Sequence, residues 1–317
     1  MIRYRPFQNW DPPALAEIWR TQTPLRGRLQ AITPPLLEKH ILGKPWFDRQ
    51  GLIVACDGAR PIGFAHAGFG ASDDHRDIDT RQGTICQVLA APHEHRGTIM
   101  VELLGAAEDY LCRRGATQIY GGCQFPFNPF YLGVYGSSDV PGVLATDLEF
   151  LSLLSGAGYR QQSRRTLWRR TLAGFRAPVD RQWMQVRRRF VAAPPRDVLP
   201  ENWWDACVWA HHDWTRCDLT LAGGGEPVIS ATLWDVEPLA RDWGLQTVGL
   251  VRLDDTPEAR DEGLSGFLLG EVMRQYQTQG YAAIEAQAAA TDASLAEILT
   301  KLGLENYDEA TLWVKAT

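Results

Sequence analysis

The sequence predicts an α+β fold: two tandem copies of one mixed strand-and-helix unit, the first over residues 1–175 and the second over 176–317. Three observations carry this expectation. A chain of 317 residues exceeds what a single hydrophobic core usually organises. Landmarks of different chemistry recur at one offset: Pro92 and Pro257, Leu103 and Leu268, Gly115 and Gly280, and Ile119 and Ile284 are each 165 residues apart. Both sets also occupy the same local order, an apolar strand-like run, a turn entered through proline, then a helix-like run. Gly158-Tyr159 and Gly303-Leu304 pair at an offset of 145, so the first copy carries about twenty extra residues after its second strand-like landmark.

Residues 2–7 alternate as an opening strand, and Asp11-Pro-Pro starts a helix through 14–19, proline being tolerated in a first turn. Runs 52–56 and 62–67 flank Asp57-Gly58, a hairpin signal. A strand over 84–90 leads into PHEHRGTIMVELL (92–104), and a helix over 99–113 precedes a strand at 118–120. The insertion over 124–143 opens QFPFNPFYLGVYG, too irregular for a regular element. It either walls an acceptor pocket or packs as a surface loop or flap over the inter-domain seam. A strand over 165–172 and a linker near 173–180 close the first copy. The second copy reads as an opening strand over 182–190, a tryptophan-rich helix over 202–211 and a hairpin around Gly223-Gly224-Gly225. That triplet reads as a turn, because no helix-like run follows it.

The segment PEARDEGLSGFLL (257–269) joins a strand over 247–253 to a helix over 264–279. Such a junction leaves unpaired N–H groups and the positive end of the helix dipole facing outward, a site for phosphate. Small residues there let a ligand approach the main chain. Strand, Pro-x-x-Arg-x-x-Gly-x-Gly/Ala, helix, glycine, strand, short helix and a Gly-Phe-like pair together resemble the GCN5-related N-acetyltransferase (GNAT) family. Laid twice along the chain, they resemble tandem bacterial acetyltransferases such as mycothiol synthase. The resemblance implies two domains, each a mixed, mostly antiparallel sheet flanked by helices, with acetyl-coenzyme A (acetyl-CoA) as co-substrate. Carried over residue by residue, it implies coenzyme contacts from Leu253 and Asp255 at the end of a splayed strand. It further implies contacts from Arg260, Asp261, Glu262, Gly263, Leu264, Ser265 and Gly266 around the turn, and from Asp292 where asparagine is common. The first copy departs from the pattern, with His95 in place of Arg and Thr98 and Met100 in place of the small residues, so it is expected to bind coenzyme A weakly or not at all.

Acetyl transfer to an amine requires removal of a proton from the ammonium and a donor for the developing oxyanion. The candidate bases are Glu285, on the strand where the resemblance has the central strands separate, and Asp235. The plainer reading of Glu285 is an exposed strand carboxylate. The tyrosine that often serves the family as acid is absent, with Leu299 and Leu154 at the aligned positions. The expected activity is N-acetylation of a small or amino-acid-like amine bound between the domains. A coenzyme-binding sensor without turnover is the alternative, and aminoacyl transfer to a cell-wall peptide a third.

Hydrophobic content of 45% and charged content of 22% are those of an ordinary globular chain, and a net charge of −6 argues against general nucleic-acid binding. Cys56, Cys86, Cys112, Cys123, Cys207 and Cys217 show no metal-type spacing and read as reduced thiols of a cytoplasmic protein. His93-Glu94-His95 lacks evident further ligands, so no metal is expected. No apolar run approaches a membrane span. His211-His212 reads as a helix-end interaction or a base near the acceptor, and the arginines over 160–189 as solvated faces or contacts for phosphate or an acidic acceptor. The expected partner is a small-molecule amine, with no nucleic acid and no membrane, in a monomer or homodimer.

Overall fold

The computed structural model describes residues 1–124 and 130–317. In the first unit these form β1 (Ile2–Pro6), α1 (Pro12–Arg20), α2 (Pro34–Leu37), β2 (Leu52–Asp57), β3 (Arg60–Ala71), β4 (Ile78–Ala90) and α3 (Arg96–Arg113). There follow β5 (Gln118–Gly121), β6 (Val143–Leu144), α4 (Leu148–Gly156) and β7 (Arg160–Thr171). The second unit contains α5 (Arg181–Arg189), β8 (Phe190–Ala192), β9 (Arg196–Asp197), α6 (Trp203–Val208), β10 (Trp214–Leu221), β11 (Ile229–Asp235), α7 (Leu239–Trp243) and β12 (Thr247–Asp254). It ends with α8 (Pro257–Asp261), α9 (Leu264–Thr278), β13 (Ala283–Ala289), α10 (Ala293–Lys301) and β14 (Glu305–Ala316).

All the strands belong to one sheet, whose main path runs β1-β2-β3-β4-β5-β14-β7-β13-β12-β11-β10-β8. The pairs β4–β5 and β12–β13 are parallel, and the remaining neighbours antiparallel. The closing strands have changed places. β14, the last element of the second unit, lies against β5, while β7, the last of the first, lies against β13. The two exchanged strands also pair with each other, from Glu305↔Arg169 to Val314↔Arg160. The arginine-rich strand over 160–171 is therefore central in the sheet, whereas sequence alone leaves it open to solvent.

Three cores follow from alternation of side chains across the strands. α3 covers one face of the first unit through Ile99, Leu103, Leu104 and Leu111. α9 covers the matching face of the second through Phe267, Leu268, Val272 and Met273. The opposite face carries a shared aromatic core containing Trp19, Tyr131 and Tyr135 from the first unit and Trp204 and Trp234 from the second. Burying one large apolar side chain contributes roughly 1.5–3 kcal/mol, so this core ties the units together.

The expected strand over 182–190 is a helix, and only Phe190 begins a strand. The Asp180 carboxylate accepts a hydrogen bond from Trp183 N at 2.7 Å and caps the first turn of α5. Trp183 and Val186, three apart, share one helical face, whereas the alternation of Met184, Val186 and Phe190 had read as a strand. Trp183 packs so closely on α9 that a Cβ at Gly270 would lie 2.2 Å from its ring. The expected helix over 202–211 is shortened to Trp203–Val208. Of the insertion, 125–129 lie outside the described residues; Phe130, Tyr131 and Tyr135 are buried, so this stretch packs rather than standing free.

Candidate functional site

β12 and β13 pair only from Thr247↔Ala283 to Gly249↔Glu285, after which they part, β12 running on beside β11 to Asp254 and β13 beside β7 to Ala289. The sheet is split beyond Gly249, leaving one edge of β12 facing the gap while β11 holds the other. The first unit has a comparable split: β4 and β5 part beyond Ile85↔Gly121, and β4 runs on to Ala90.

At the root of the second split Glu285 is fully buried, correcting the exposed-carboxylate reading. It forms an ion pair with Arg26 and accepts hydrogen bonds from Ser137 Oγ at 2.7 Å and Tyr307 Oη at 3.2 Å. The Arg26 guanidinium lies 4.2 Å from the Trp243 ring centroid and 4.3 Å from that of Tyr307. Burial, followed by the neighbouring carboxylate, pushes the Tyr307 hydroxyl well above the ordinary tyrosine range. Arg169 flanks Glu285 in the sheet and is pushed down by burial and by Arg26.

The first unit's insertion reaches this place. Gly249 lets it in, since a Cβ there would lie 2.9 Å from Ser138 Cβ. Trp234 Nε1 donates to Ser138 O at 2.7 Å, and Gln287 Nε2 to Asp139 O at 2.8 Å. Sequence reasoning missed Arg26, Ser137, Asp139 and Tyr307. Arg26 is 259 residues from Glu285, and no local pattern links them.

At the outer end of the split, α9 opens at Gly263, whose φ of 78° favours glycine. The first intrahelical bond runs from Phe267 N to Gly263 O, so the N–H groups of Leu264, Ser265 and Gly266 precede the ladder. Arg260 forms an ion pair with Asp255 at 2.8 Å and another with Asp292 at 2.6 Å. Ser265 is buried and donates to Asp255 at 2.6 Å, turning away from the turn surface. Gly266 presents the open position, where a Cβ would meet only Ile298 Cγ2 at 3.8 Å. Asp261 and Glu262 are exposed and Leu253 packs at the edge of the second core. Gln182 lies over Gly263 and donates to Asp261 O at 3.0 Å.

Asp235 is placed elsewhere. It accepts from Tyr281 at 3.4 Å, and Tyr281 packs with the α9 core, whereas Glu285 faces the other side of its strand. Burial and then Glu237 push the Asp235 carboxyl above its usual range. It borders a small cavity of about 130 Å³ with His40, His211 and His212. Burial pushes His40 down to about 3, with Lys39 and Lys44 adding to it, and holds His212 well below the ordinary imidazole range. His212 packs edge-on to Trp234 at 4.8 Å, so its surroundings are those of a neutral core histidine.

In the first copy Met100 points into the α3 core, Thr98 is exposed and His95 closes the turn. Arg96 caps Ala90 O and bonds Glu149 at 2.6 Å, lying across the end of β4. Leu154 and Leu299 are both buried. Among the described residues no group of three or more His, Cys, Asp or Glu converges as a metal site, and no helix is long and apolar enough to cross a membrane.

No protein-family model and no curated protein matches the sequence. Solved structures do match along the whole chain. A tandem GNAT protein from the clavulanic acid biosynthesis pathway is 12% identical, with a TM-score of 0.65, covering 100% of this chain and 98% of that one. A GCN5-related N-acetyltransferase from Sphaerobacter thermophilus is 13% identical, with a TM-score of 0.65 and coverage of 99% and 95%. A GCN5-related glucosamine N-acetyltransferase region of a fungal multi-domain β-N-acetylglucosaminidase is 14% identical, with a TM-score of 0.67. The match covers 99% of this chain but 38% of that longer one. The fold is that of tandem GNAT proteins, shared at an identity that speaks for architecture alone.

Proposed function

We propose, from a tandem acetyltransferase fold that spans the chain, that this protein transfers an acetyl group from acetyl-CoA to a small amine at the split of its second unit. The observation that carries this reading is the parting of β12 from β13 directly beyond Gly249 and Glu285, with the N-terminus of α9 at the outer end of the same gap. A pantetheine arm needs a strand edge with unspent hydrogen bonds, and a diphosphate needs main-chain N–H donors beside a helix dipole. In the reaction the amine nitrogen, freed of its proton, bonds to the thioester carbonyl carbon. The carbon–sulfur bond breaks, and the departing thiolate takes up a proton. An N–H on the open edge of β12 is the kind of donor that steadies the oxyanion. Glu285, tied to Arg26, Ser137 and Tyr307, fixes the floor of the gap.

Calorimetric titration with acetyl-CoA, followed by thiol release in the presence of an amine panel, tests this. One-to-one binding and amine-dependent thiol release are expected; no binding contradicts the reading. The second reading, a coenzyme-binding protein without turnover, is favoured by the full engagement of Glu285 and of Arg260. Binding without thiol release for any amine separates the two.

A further inference from the structure

We infer that the cavity between α6, the free stretch of β12 and the first unit's loop 137–140 is the acceptor pocket, that it takes a small primary amine bearing an apolar ring, and that Asp139 holds the ammonium and receives its proton. This rests on the acyl-transfer reading and deepens it by naming the acceptor class.

The cavity measures about 320 Å³, at the small end of ligand pockets. Val251 and Arg252 line it from the part of β12 that has left β13, and Thr232, opposite Arg252 in the register, lines it from β11. Trp209 stacks on Trp214 with centroids 4.6 Å apart, and Trp214 stacks in turn on Trp234 at 5.8 Å, so it is Trp209 that supplies a flat apolar wall. Indole faces suit both a ring and a nearby cation.

Two polar atoms of the lining have no partner among the described residues, Thr232 Oγ1 and Trp214 Nε1. Their residues are only 2% and 6% exposed. An unsatisfied buried donor costs about 1–3 kcal/mol, a penalty removed when a ligand brings an acceptor such as a hydroxyl or carbonyl oxygen.

Three carboxylates in the lining, Asp139, Glu201 and Asp205, outnumber its two guanidiniums, Arg165 and Arg252. Arg252 is paired with Asp254 at 3.1 Å, and Arg165 Nε faces the Gln124 side-chain amide, oriented to accept, at 3.0 Å. Asp205 lies 4.0 Å from His75. Asp139 forms no ion pair within 4 Å among the described residues; Oδ1 accepts from Val140 N at 2.8 Å, and Oδ2 has no hydrogen-bond partner among them. The Gln287 bond to its main chain fixes this residue beside the split, where the attacking nitrogen has to stand. Burial raises the Asp139 carboxyl above its usual range, with Arg165 pulling the other way, which suits a group that must accept a proton. The transfer balances: one ammonium N–H bond breaks, one carboxyl O–H bond forms, and the neutral amine keeps the electron pair.

The test uses the whole chain with 2-phenylethylamine as probe and phenylacetate as its anionic counterpart, both read by quenching of tryptophan fluorescence. Saturable quenching by the amine and none by the acid is expected. Asp139→Asn weakens amine binding about tenfold or more, the value of a hydrogen bond to a charged group, with an unchanged melting temperature. Thr232→Val leaves phenylethylamine binding intact, because that probe carries no oxygen, but weakens binding of 2-amino-1-phenylethanol. Equal binding of acid and amine, no saturable quenching by the amine, or an unaffected Asp139→Asn overturns the assignment. Acetyl-CoA titration of the same protein separates the two readings. Coenzyme binding without amine binding sinks this inference alone, whereas amine binding without coenzyme binding sinks the acyl-transfer reading and leaves the cavity an amine-binding site without an acceptor's role.

Discussion

A carboxylate withdrawn from water needs a counter-charge, and Glu285 finds it in an arginine contributed by the other unit. Two hydroxyls hold the carboxylate and two aromatic faces lie against the guanidinium. Removing the carboxylate leaves the half-buried Arg26 guanidinium unpaired and close to Arg169. Glu285→Gln is therefore expected to cost about 3 kcal/mol, read as a lowered midpoint in urea denaturation. Replacing both residues, Arg26→Met with Glu285→Leu, is expected to cost less than the single change, because no charge is then stranded. A single variant as stable as the parent would show that the pair contributes nothing to the seam. Glu285 was legible as a candidate from its place after the α9 helix. Its partners were not: a contact between residues so far apart leaves no periodic trace, and Asp139 lay in an irregular stretch without a pattern to place it.

The strand, turn and helix from β12 to α9 are the element on which the coenzyme reading stands, and their glycines respond differently to substitution. At Gly263 a side chain meets both a left-handed backbone and the Gln182 side chain, with Cδ 2.7 Å from the new Cβ. Gly263→Val is expected to lower the melting temperature as well as any coenzyme affinity, so it does not isolate the site. Gly266 is helical with open space beside it, and Gly266→Val is expected to fold as stably as the parent while losing acetyl-CoA binding. Undiminished binding by that variant, measured calorimetrically, would remove α9 from the coenzyme site. This element was readable because a strand period, a proline, small residues and a helix period occur in sequence. The helix α5 was not, because Met184, Val186 and Phe190 fit an alternating strand while Trp183, Val186 and Phe190 fit a helix, and packing of Trp183 against Gly270 decides.

At the scale of the molecule the two units share a sheet, an aromatic core and their closing strands. Residues 1–175 lack both β13 and β14, so that fragment alone leaves one edge of β5 and both edges of β7 bare. Expressed by itself it is expected to lack a cooperative melt, and to gain one when a peptide of residues 305–317 is added, as followed by circular dichroism. A cooperative melt without the peptide would mean that the first unit closes on itself. The repeat was legible because duplicated landmarks keep their spacing. The exchange was not, since β7 and β14 are equivalent copies, and a repeat cannot say which copy completes which unit.

That exchange sets a timetable for synthesis. While the ribosome works from β7 to β14, on the order of ten seconds, the first half waits with an open slot that its own chain has yet to supply. Until β14 emerges, the competitors for that slot are the β14 strands of neighbouring copies growing on the same messenger.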